Sequence, residues 1–277
     1  MELAQSLPAA AVCRMLDVPT STYYYRSQKH GDEPLRTAIG EEAATWPKYG
    51  YRRITQELRR KQWRINEKKV RRLMREMNLQ VKPTKRQWPT TDSRHNLPRY
   101  PNLIRGLEVT RPDQVWAGDI TYVRLRHEYV YLAVIMDLFT RAIRGWHLGR
   151  RLDHSLTRTA LEKALLIGVP QIHHSDQGVQ YAAVRYVEQL QEAGVQVSMS
   201  DIGHPTQNAH VERLIRTIKE EEVDLSEYAS YPEALAQIGQ FIEDVYSFKR
   251  IHSALGYLTP VEYEMQWQSI QAEAIVI

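Results

Sequence analysis

Apolar residues in the first third of the chain recur at helical spacing. Four of them fall at positions i, i+3, i+4 and i+7 of one face: Val70, Leu73, Met74 and Met77. This pattern predicts a helix with one buried face, and Asn66 before it is a residue type favoured at a helix N-cap. Ile54 and Leu58 predict a second helix on the other side of a turn at 62–65. Together they predict a helix-turn-helix, and a weaker pattern of the same kind lies at 7–26.

The apolar pattern changes to a strand-like period near residue 113. Three segments rich in β-branched and aromatic residues predict an antiparallel meander: 114–123, 129–137 and 142–149. Helices predicted at 155–167, 181–193 and 207–222 then alternate with short strands at 171–175 and 195–200. This order predicts an α/β fold, a ribonuclease-H-like mixed five-stranded sheet with flanking helices, preceded by an all-α helix-turn-helix region. Another long helix is predicted at 232–248, followed by a turn-rich end.

The patterns divide the chain into five predicted parts. They are a short helix-turn-helix at 1–30, a basic helix-turn-helix at 31–80, a linker at 81–108, the ribonuclease-H-like core at 109–225 and a C-terminal helical extension at 226–277. The linker is predicted from four prolines between residues 83 and 101.

Positive charge is concentrated in the second of these parts. Residues 51–86 contain 14 Lys or Arg and three Glu, a net +11, so the overall +4 leaves −7 for the rest of the chain. Basic side chains outside the apolar stripe of a second helix are suited to a DNA groove. The predicted DNA contacts in this region are Arg52, Arg53, Lys68, Lys69, Arg71, Arg72 and Arg75. The alternative is a solvated, charged helix face.

Composition excludes several classes of protein. The 277 residues are 43% hydrophobic and 25% charged, as in globular proteins. No apolar run approaches the roughly 20 residues of a membrane span, and the charged N-terminus is a poor signal peptide. A single cysteine, Cys13, excludes an internal disulfide. We therefore expect a cytoplasmic protein with no membrane partner.

Three acidic residues occupy positions that indicate chemistry. Asp119 lies within the first predicted strand, where Asp is disfavoured. Asp176 follows the fourth strand directly, and Glu212 lies in the first turns of a long helix. In the predicted sheet these elements are neighbours, so the three carboxylates should converge. Converging carboxylates repel each other unless a cation intervenes, and a pair of Mg²⁺ ions bound by such oxygens is suited to phosphodiester chemistry.

The spacing and surroundings of these acids resemble a known family. Between Asp176 and Glu212 lie 35 residues (212 − 176 − 1), and Lys219 follows two helical turns later on the same face. The flanking motifs are W-A-G-D-I-T-Y, H-S-D-Q-G-V-Q-Y, G-H-P-T-Q-N-A-H-V-E-R, H-S-A-L-G-Y-L-T-P-V-E-Y, Y-G-Y-R-R-I and N-E-K-K-V-R-R-L-M. They resemble OrfB-type DDE transposases of bacterial insertion sequences, in the retroviral-integrase catalytic core superfamily. The likeness covers nearly the whole chain, but Gly118 and Gln207 stand where the family often has Thr and Asp.

The resemblance implies an activity and a site. A 3′-hydroxyl at the element end is freed by water and then joined to another phosphodiester. Asp119, Asp176 and Glu212 are implied as ligands of two Mg²⁺ ions, for which Mn²⁺ substitutes. Lys219 is implied as a DNA contact near the active site, and we add Arg216 on the same helix.

The resemblance also implies partners. These are DNA at element ends and targets, a first-frame OrfA product as fusion or separate partner, and further copies of the chain on DNA. OrfA would supply an end-binding helix-turn-helix and a leucine zipper, so we expect the chain alone to join ends poorly. The expected location is the bacterial cytoplasm, in association with the nucleoid.

Several alternatives stay open at this point. Asp137 is the rival acid, although Asp is also a favoured turn residue. His173 and His174 are expected to be buried and hydrogen-bonded, because no further zinc ligands lie at suitable spacing. Asn208 either caps a helix or orients substrate. The competing functions are a nuclease that stops at hydrolysis and a non-catalytic DNA-binding repressor. The three intact acids argue against the repressor only.

Overall fold

The computed structural model describes residues 8–24, 31–81, 98–201 and 204–276. Its N-terminal part contains the helices α1 (Ala9–Met15), α2 (Thr20–Tyr24), α3 (Glu33–Thr45), α4 (Tyr51–Arg60) and α5 (Glu67–Glu76). The predicted helices before and after the turn at 62–65 are confirmed. Most of the predicted linker, residues 82–97, lies outside the described residues, as do parts of the first predicted helix-turn-helix.

Helices α3, α4 and α5 enclose a small core of their own. Val70, Leu73 and Met74 are buried against Leu58 and other apolar residues of α3 and α4, as the spacing predicted. The Asn66 side chain accepts a hydrogen bond of 2.8 Å from the Lys68 amide, which confirms it as the N-cap of α5. Helix α3 was not predicted from the sequence, although it supplies part of this core.

A mixed five-stranded sheet forms the centre of the protein. Its strands are β1 (Val115–Arg124), β2 (Tyr129–Asp137), β3 (Ile143–Gly149), β4 (Ile172–Ser175) and β5 (Gln196–Met199). They lie in the order β3-β2-β1-β4-β5. Strands β1, β2 and β3 are antiparallel, whereas β4 is parallel to both β1 and β5. The predicted strand order and the adjacency of the first and fourth strands are confirmed.

Helices cover both faces of this sheet. One face packs against α6 (His154–Leu165) and α7 (Val184–Glu192). The other packs against α8 (Ala209–Glu221), α9 (Tyr231–Gln240) and the π-helical turns Phe241–Lys249 that continue α9. Packing continues past residue 225, because buried Tyr228 and Ile238 share a core with β1 and β2. No helix among the described residues is long and apolar enough to span a membrane.

The predicted turn-rich end is wrong beyond residue 259. A 17-residue helix, α10 (Pro260–Val276), follows a short 3₁₀ turn at Ser253–Leu255. Its start is a capping box: the Thr259 amide donates to the Glu262 carboxylate at 2.8 Å, and the Glu262 amide donates to the Thr259 hydroxyl at 3.2 Å. Pro260 occupies the first helical position, where its missing N–H costs nothing, and no later Gly or Pro interrupts the helix.

Candidate active site

Sheet register brings Asp119 and Asp176 to neighbouring positions. The parallel pairing of β1 and β4 ends with Gly118 opposite Ser175, so Asp119 is the next residue of β1 and Asp176 directly follows β4. Adjacent strands lie about 4.8 Å apart. Asp119 shares a sheet face with Ala117, which packs in the core beneath α8. The helix that carries Glu212 therefore covers the strand that carries Asp119.

The three acids influence one another electrostatically. Burial raises the pKa of Asp119 well above its usual range, and the charges of Asp176 and Glu212 raise it further. Burial also raises the pKa of Glu212, with Asp176 adding to the shift and Arg216 opposing it. Each shift reflects a carboxylate that is costly to ionise beside the others. These effects place the three side chains near one another, whereas their role as ligands of a metal ion stays a prediction.

The acids converge without forming a closed metal cage. No group of three or more His, Cys, Asp or Glu within the described ranges is arranged to hold a metal ion. One oxygen of Asp119 accepts from the Ile120 amide at 2.8 Å, and one oxygen of Asp176 accepts from the Gly178 amide at 2.9 Å. Three mutually repelling carboxylates nevertheless fit a hard divalent cation, because it prefers oxygen ligands and compensates their charge.

Gly118 allows this arrangement to pack. A Cβ at position 118 would lie 3.1 Å from the Tyr181 ring and 3.2 Å from His173 Nε2, which is tighter than ordinary contact. The departure from the family's usual Thr therefore has a local packing reason. A similar restriction applies at Gly178, where a Cβ would lie 2.9 Å from an Asp176 carboxylate oxygen.

Both histidines of β4 are buried and hydrogen-bonded, as expected. His173 Nε2 lies 3.0 Å from the Tyr186 hydroxyl. His174 contacts the hydroxyls of Ser198 and Ser200 at 2.8 and 3.1 Å. Burial lowers the pKa of His173 to about 3 and that of His174 to about 4, so both are neutral near pH 7.

Tyr181 and Asn208 adjoin the acids; no role was predicted for Tyr181, and two alternatives were open for Asn208. Tyr181 is buried, its hydroxyl has no hydrogen-bond partner among the described residues, and the charges of Asp119 and Asp176 raise its pKa further after burial. Asn208 makes no side-chain cap, so that alternative is wrong. Its amide instead donates to the Gly118 carbonyl at 3.3 Å, which ties the start of α8 to β1. The advance signals were only that Tyr181 closes one recognised motif and that Asn208 lies within another.

Lys219 and Arg216 lie on α8 with Glu212. The Lys219 ammonium is 4.1 Å from the centre of the Tyr122 ring. Burial lowers the pKa of Lys219, while Asp224 and Asp119 oppose that shift. Arg216 is exposed and acts electrostatically on Glu212. Both cations therefore lie beside the acids, as predicted, whereas their contact with DNA stays a prediction.

The rival acid Asp137 has a structural role. It is fully buried and accepts hydrogen bonds from the amides of Asp113, Phe139 and Thr140 at 2.6, 2.9 and 2.6 Å. The Thr140 hydroxyl donates a fourth bond at 2.9 Å. These bonds fix the turn between β2 and β3, which confirms the turn interpretation.

The predicted DNA-contacting residues fall into two groups. Lys69 and Arg72 form ion pairs with Asp32 at 2.8 and 2.9 Å, so part of their charge is compensated within the protein. Arg53 is half-buried, 3.6 Å from Glu221 of α8. The other group is exposed and enters no ion pair within the described ranges: Arg52, Lys68, Arg71 and Arg75.

Known protein families match both the N-terminal helical region and the region that contains the sheet. The family described as HTH-like domain matches residues 30–87. Two families described as integrase core domain match residues 109–205 and 193–260. The matched ranges cover the basic helices, the sheet and the helices that carry the acids.

Individual relatives cover most of the chain. The Shigella sonnei "Insertion element IS600 uncharacterized 31 kDa protein" is 34% identical over 272 residues, 94% of this chain and 100% of that protein. The transposase for insertion sequence element IS904 of Lactococcus lactis is 36% identical over 78% of this chain and 87% of its own length. A chain of the simian T-cell lymphotropic virus intasome shares the fold, with a TM-score of 0.50 and 15% identity over 82% of this chain and 74% of that chain. The chain therefore belongs to the OrfB-type DDE transposases of bacterial insertion sequences, within the integrase superfamily.

Proposed function

We propose that this chain cleaves DNA at the 3′ ends of an insertion sequence and transfers those ends to target DNA. The observation that carries the proposal is the convergence of Asp119, Asp176 and Glu212 from β1, β4 and α8. Family membership gives this cluster a substrate, since cleavage and strand transfer of DNA are the general integrase-type activity. A repressor built on the same fold would not need Asp119 and Glu212 to be held beside Asp176, whose charge raises the pKa of both.

Members of this family use divalent metal ions. Asp119, Asp176 and Glu212 are the residues that would hold them here, and we propose two Mg²⁺ ions, replaceable by Mn²⁺. When bound, a pair of such ions activates the attacking oxygen and stabilises the leaving oxygen of an in-line displacement. The protein's own contribution is to hold the three carboxylates together, and the Asn208 bond to Gly118 keeps α8 against β1.

Cations beside the acids would orient the DNA. Lys219 is held over the Tyr122 ring, so its ammonium is restrained close to the carboxylates. Arg216, one turn from Glu212 and exposed, would contact the phosphate backbone on the same side of α8. Neither residue is proposed to exchange a proton with substrate.

The exposed group on α4 and α5 would supply sequence-independent DNA affinity. We expect Lys68→Ala, Arg71→Ala and Arg75→Ala combined to reduce the slope of log K against log salt by about 0.9 per lost phosphate contact on duplex DNA. Fluorescence anisotropy with a labelled duplex from about 50 to 200 mM salt measures this slope. As a matched control, Lys69→Ala and Arg72→Ala should change it less, because Asp32 already compensates those charges. A triple variant with the parental slope would show that this face is only solvated.

Partners follow from the activity. We propose that an OrfA product joins or binds this chain and brings two element ends together, because linking binding modules raises effective concentration without new contacts. Homo-oligomers on DNA serve the same purpose. The site of action would be the bacterial nucleoid.

The deciding experiment incubates the chain, alone and fused to OrfA, with labelled element ends and Mg²⁺ or EDTA. Denaturing gels separate intact, nicked and joined strands. We expect metal-dependent nicking at the 3′ end of the element and joined products that increase in the fusion. Nicked product without any joined product, in both forms of the protein, would instead support the nuclease alternative.

A further inference from the structure

A cationic cavity of about 200 Å³ lies on the side of α8 away from the acids. Its lining includes four arginines and two histidines: Arg53, Arg141, Arg213, Arg250, His210 and His252. On α8 the lining residues His210, Arg213 and Thr217 follow one stripe, whereas Glu212, Arg216 and Lys219 follow another. At 100° per residue the two stripes are about 125° apart, so the cavity and the acids flank the same helix.

The cavity carries more positive than negative charge among the described residues. Glu221 accepts two hydrogen bonds of 2.7 Å from Arg250 and lies 3.6 Å from Arg53. Asp137 acts on Arg141, but its oxygens already accept three hydrogen bonds from the β2–β3 turn and one from the Asp113 amide. Two carboxylates therefore face four guanidinium groups. Burial is the largest cause that lowers the pKa of His252 to about 2, and the charges of Arg250, Arg53 and Arg141 add to the shift.

Arg141 is held in the cavity at a conformational cost. Its Nη1 atom is buried and has no hydrogen-bond partner among the described residues. Its backbone has a φ of 62°, in the left-handed region that glycine or asparagine occupies more readily. Strained backbone and an unsatisfied buried donor are both unfavourable for folding, and such features concentrate at binding sites. Together they mark Arg141 as a donor that is available to a bound acceptor.

We propose that this cavity binds a phosphate of the DNA backbone. Planar guanidinium groups match the oxygens of phosphate, and the cavity opens to solvent at His210, Arg213, Ser253 and Ala254, which are exposed. With side chains, α8 is about 10–12 Å across, so the bound phosphate would lie a few nucleotides from the reacting phosphodiester. This inference rests on the proposed function. It adds that the side of α8 that lines the cavity holds the same DNA on which the acids act.

The structure favours DNA over an acidic protein segment for two reasons. The cavity is bounded by α8, which carries Glu212, and by Arg53 of α4, the first helix of the basic pair. A DNA strand that runs from the basic helices to the acids would therefore pass the mouth of the cavity. An acidic segment would also satisfy the charge, but none of the described ranges supplies one beyond Glu221 and Asp137.

The test inserts a carboxylate at the mouth of the cavity. Ser253→Glu should compete with phosphate, weaken duplex binding about tenfold and reduce the salt slope by about 0.9, equivalent to one phosphate. The same substitution should raise the melting temperature of the free chain, because it compensates the excess positive charge. Ser253→Gln is the matched neutral control. Arg213→Ala should also reduce the slope, whereas Arg158→Ala, on α6 across the sheet, should not.

All binding is measured on the full chain in EDTA, so that catalysis does not enter. If the chain does not cleave or join DNA in the assay with Mg²⁺, the proposed function is wrong, but the binding measurements in EDTA still test the cavity. Equal slopes for Ser253→Glu and Ser253→Gln would overturn the DNA-phosphate site. Inorganic phosphate gives a second way to overturn the DNA-phosphate site. If phosphate raises the melting temperature of Ser253→Gln but not of Ser253→Glu, and both variants bind duplex DNA with the same salt slope, the cavity binds free anions and not DNA. If Ser253→Glu changes only the self-association of the free chain and not its binding to DNA, the cavity binds an acidic group of a second copy of the chain.

Discussion

Asp119→Asn, Asp176→Asn and Glu212→Gln should each abolish both cleavage and joining of element ends. Each substitution removes one charge from a set of oxygens that must together bind the divalent cation. Losing one preorganised electrostatic group costs about 10²–10³ in kcat in other enzymes, and loss of a metal ligand should cost roughly 10³ or more. Gel assays of labelled ends with Mg²⁺ measure both steps in one reaction.

Binding and folding separate this effect from simple loss of structure. All three variants should retain duplex affinity in EDTA, and Glu188→Gln on the exposed side of α7 should retain full activity. Burial and neighbouring charge raise the pKa of Asp119, so its ionised form destabilises the fold once pH exceeds its ordinary value. Asp119→Asn should therefore melt higher than the parent in EDTA at neutral pH, while gaining less stability from Mg²⁺. Normal turnover by Glu212→Gln would show that Glu212 has no role in catalysis.

Sheet topology and the positions of two acids were predictable from local pattern. Alternating β-branched and aromatic segments identify the strands, and their order makes β1 and β4 neighbours. Asp119 is then conspicuous because an acid within a buried strand is unfavourable without a partner. The third acid, Glu212, was proposed from its place in a helix beside these strands, but an acid near the start of a helix is ordinary in itself, so its assignment depended on the spacing and motifs of a known family.

Other features depend on contacts that local pattern does not contain. Asn208 looks like a helix cap in sequence, yet its side chain bonds to Gly118, 90 residues away. Helix α3 has few apolar residues of its own and is stabilised by packing against α4 and α5. The cationic cavity collects side chains from α4, the β2–β3 turn, α8 and the segment after α9. Its charge therefore becomes apparent only once these segments are packed.

A buried ion pair joins these same segments. Glu221, at the end of α8, accepts from Arg250 Nε and Nη2 at 2.7 Å each, and Arg250 is only 2% exposed. Arg53 of α4 lies 3.6 Å from the same carboxylate. Nearby, the Ile251 amide donates to the Tyr49 hydroxyl at 3.1 Å, so the helical region and the core are connected at this point.

Glu221→Gln should therefore destabilise the protein by about 3–5 kcal/mol, because it leaves the Arg250 guanidinium buried without a counter-charge. Urea unfolding of the full chain measures the change. Glu162→Gln is the matched control, since it breaks the Arg158 pair on the exposed surface of α6 and should cost less than about 1 kcal/mol. Replacing both partners, Glu221→Gln with Arg250→Met, should recover part of the loss, because the fully buried Arg250 charge is removed while half-buried Arg53 still loses its partner. A Glu221→Gln protein as stable as the control would mean that Arg250 reaches solvent or another partner, and that α8 is not anchored through this pair.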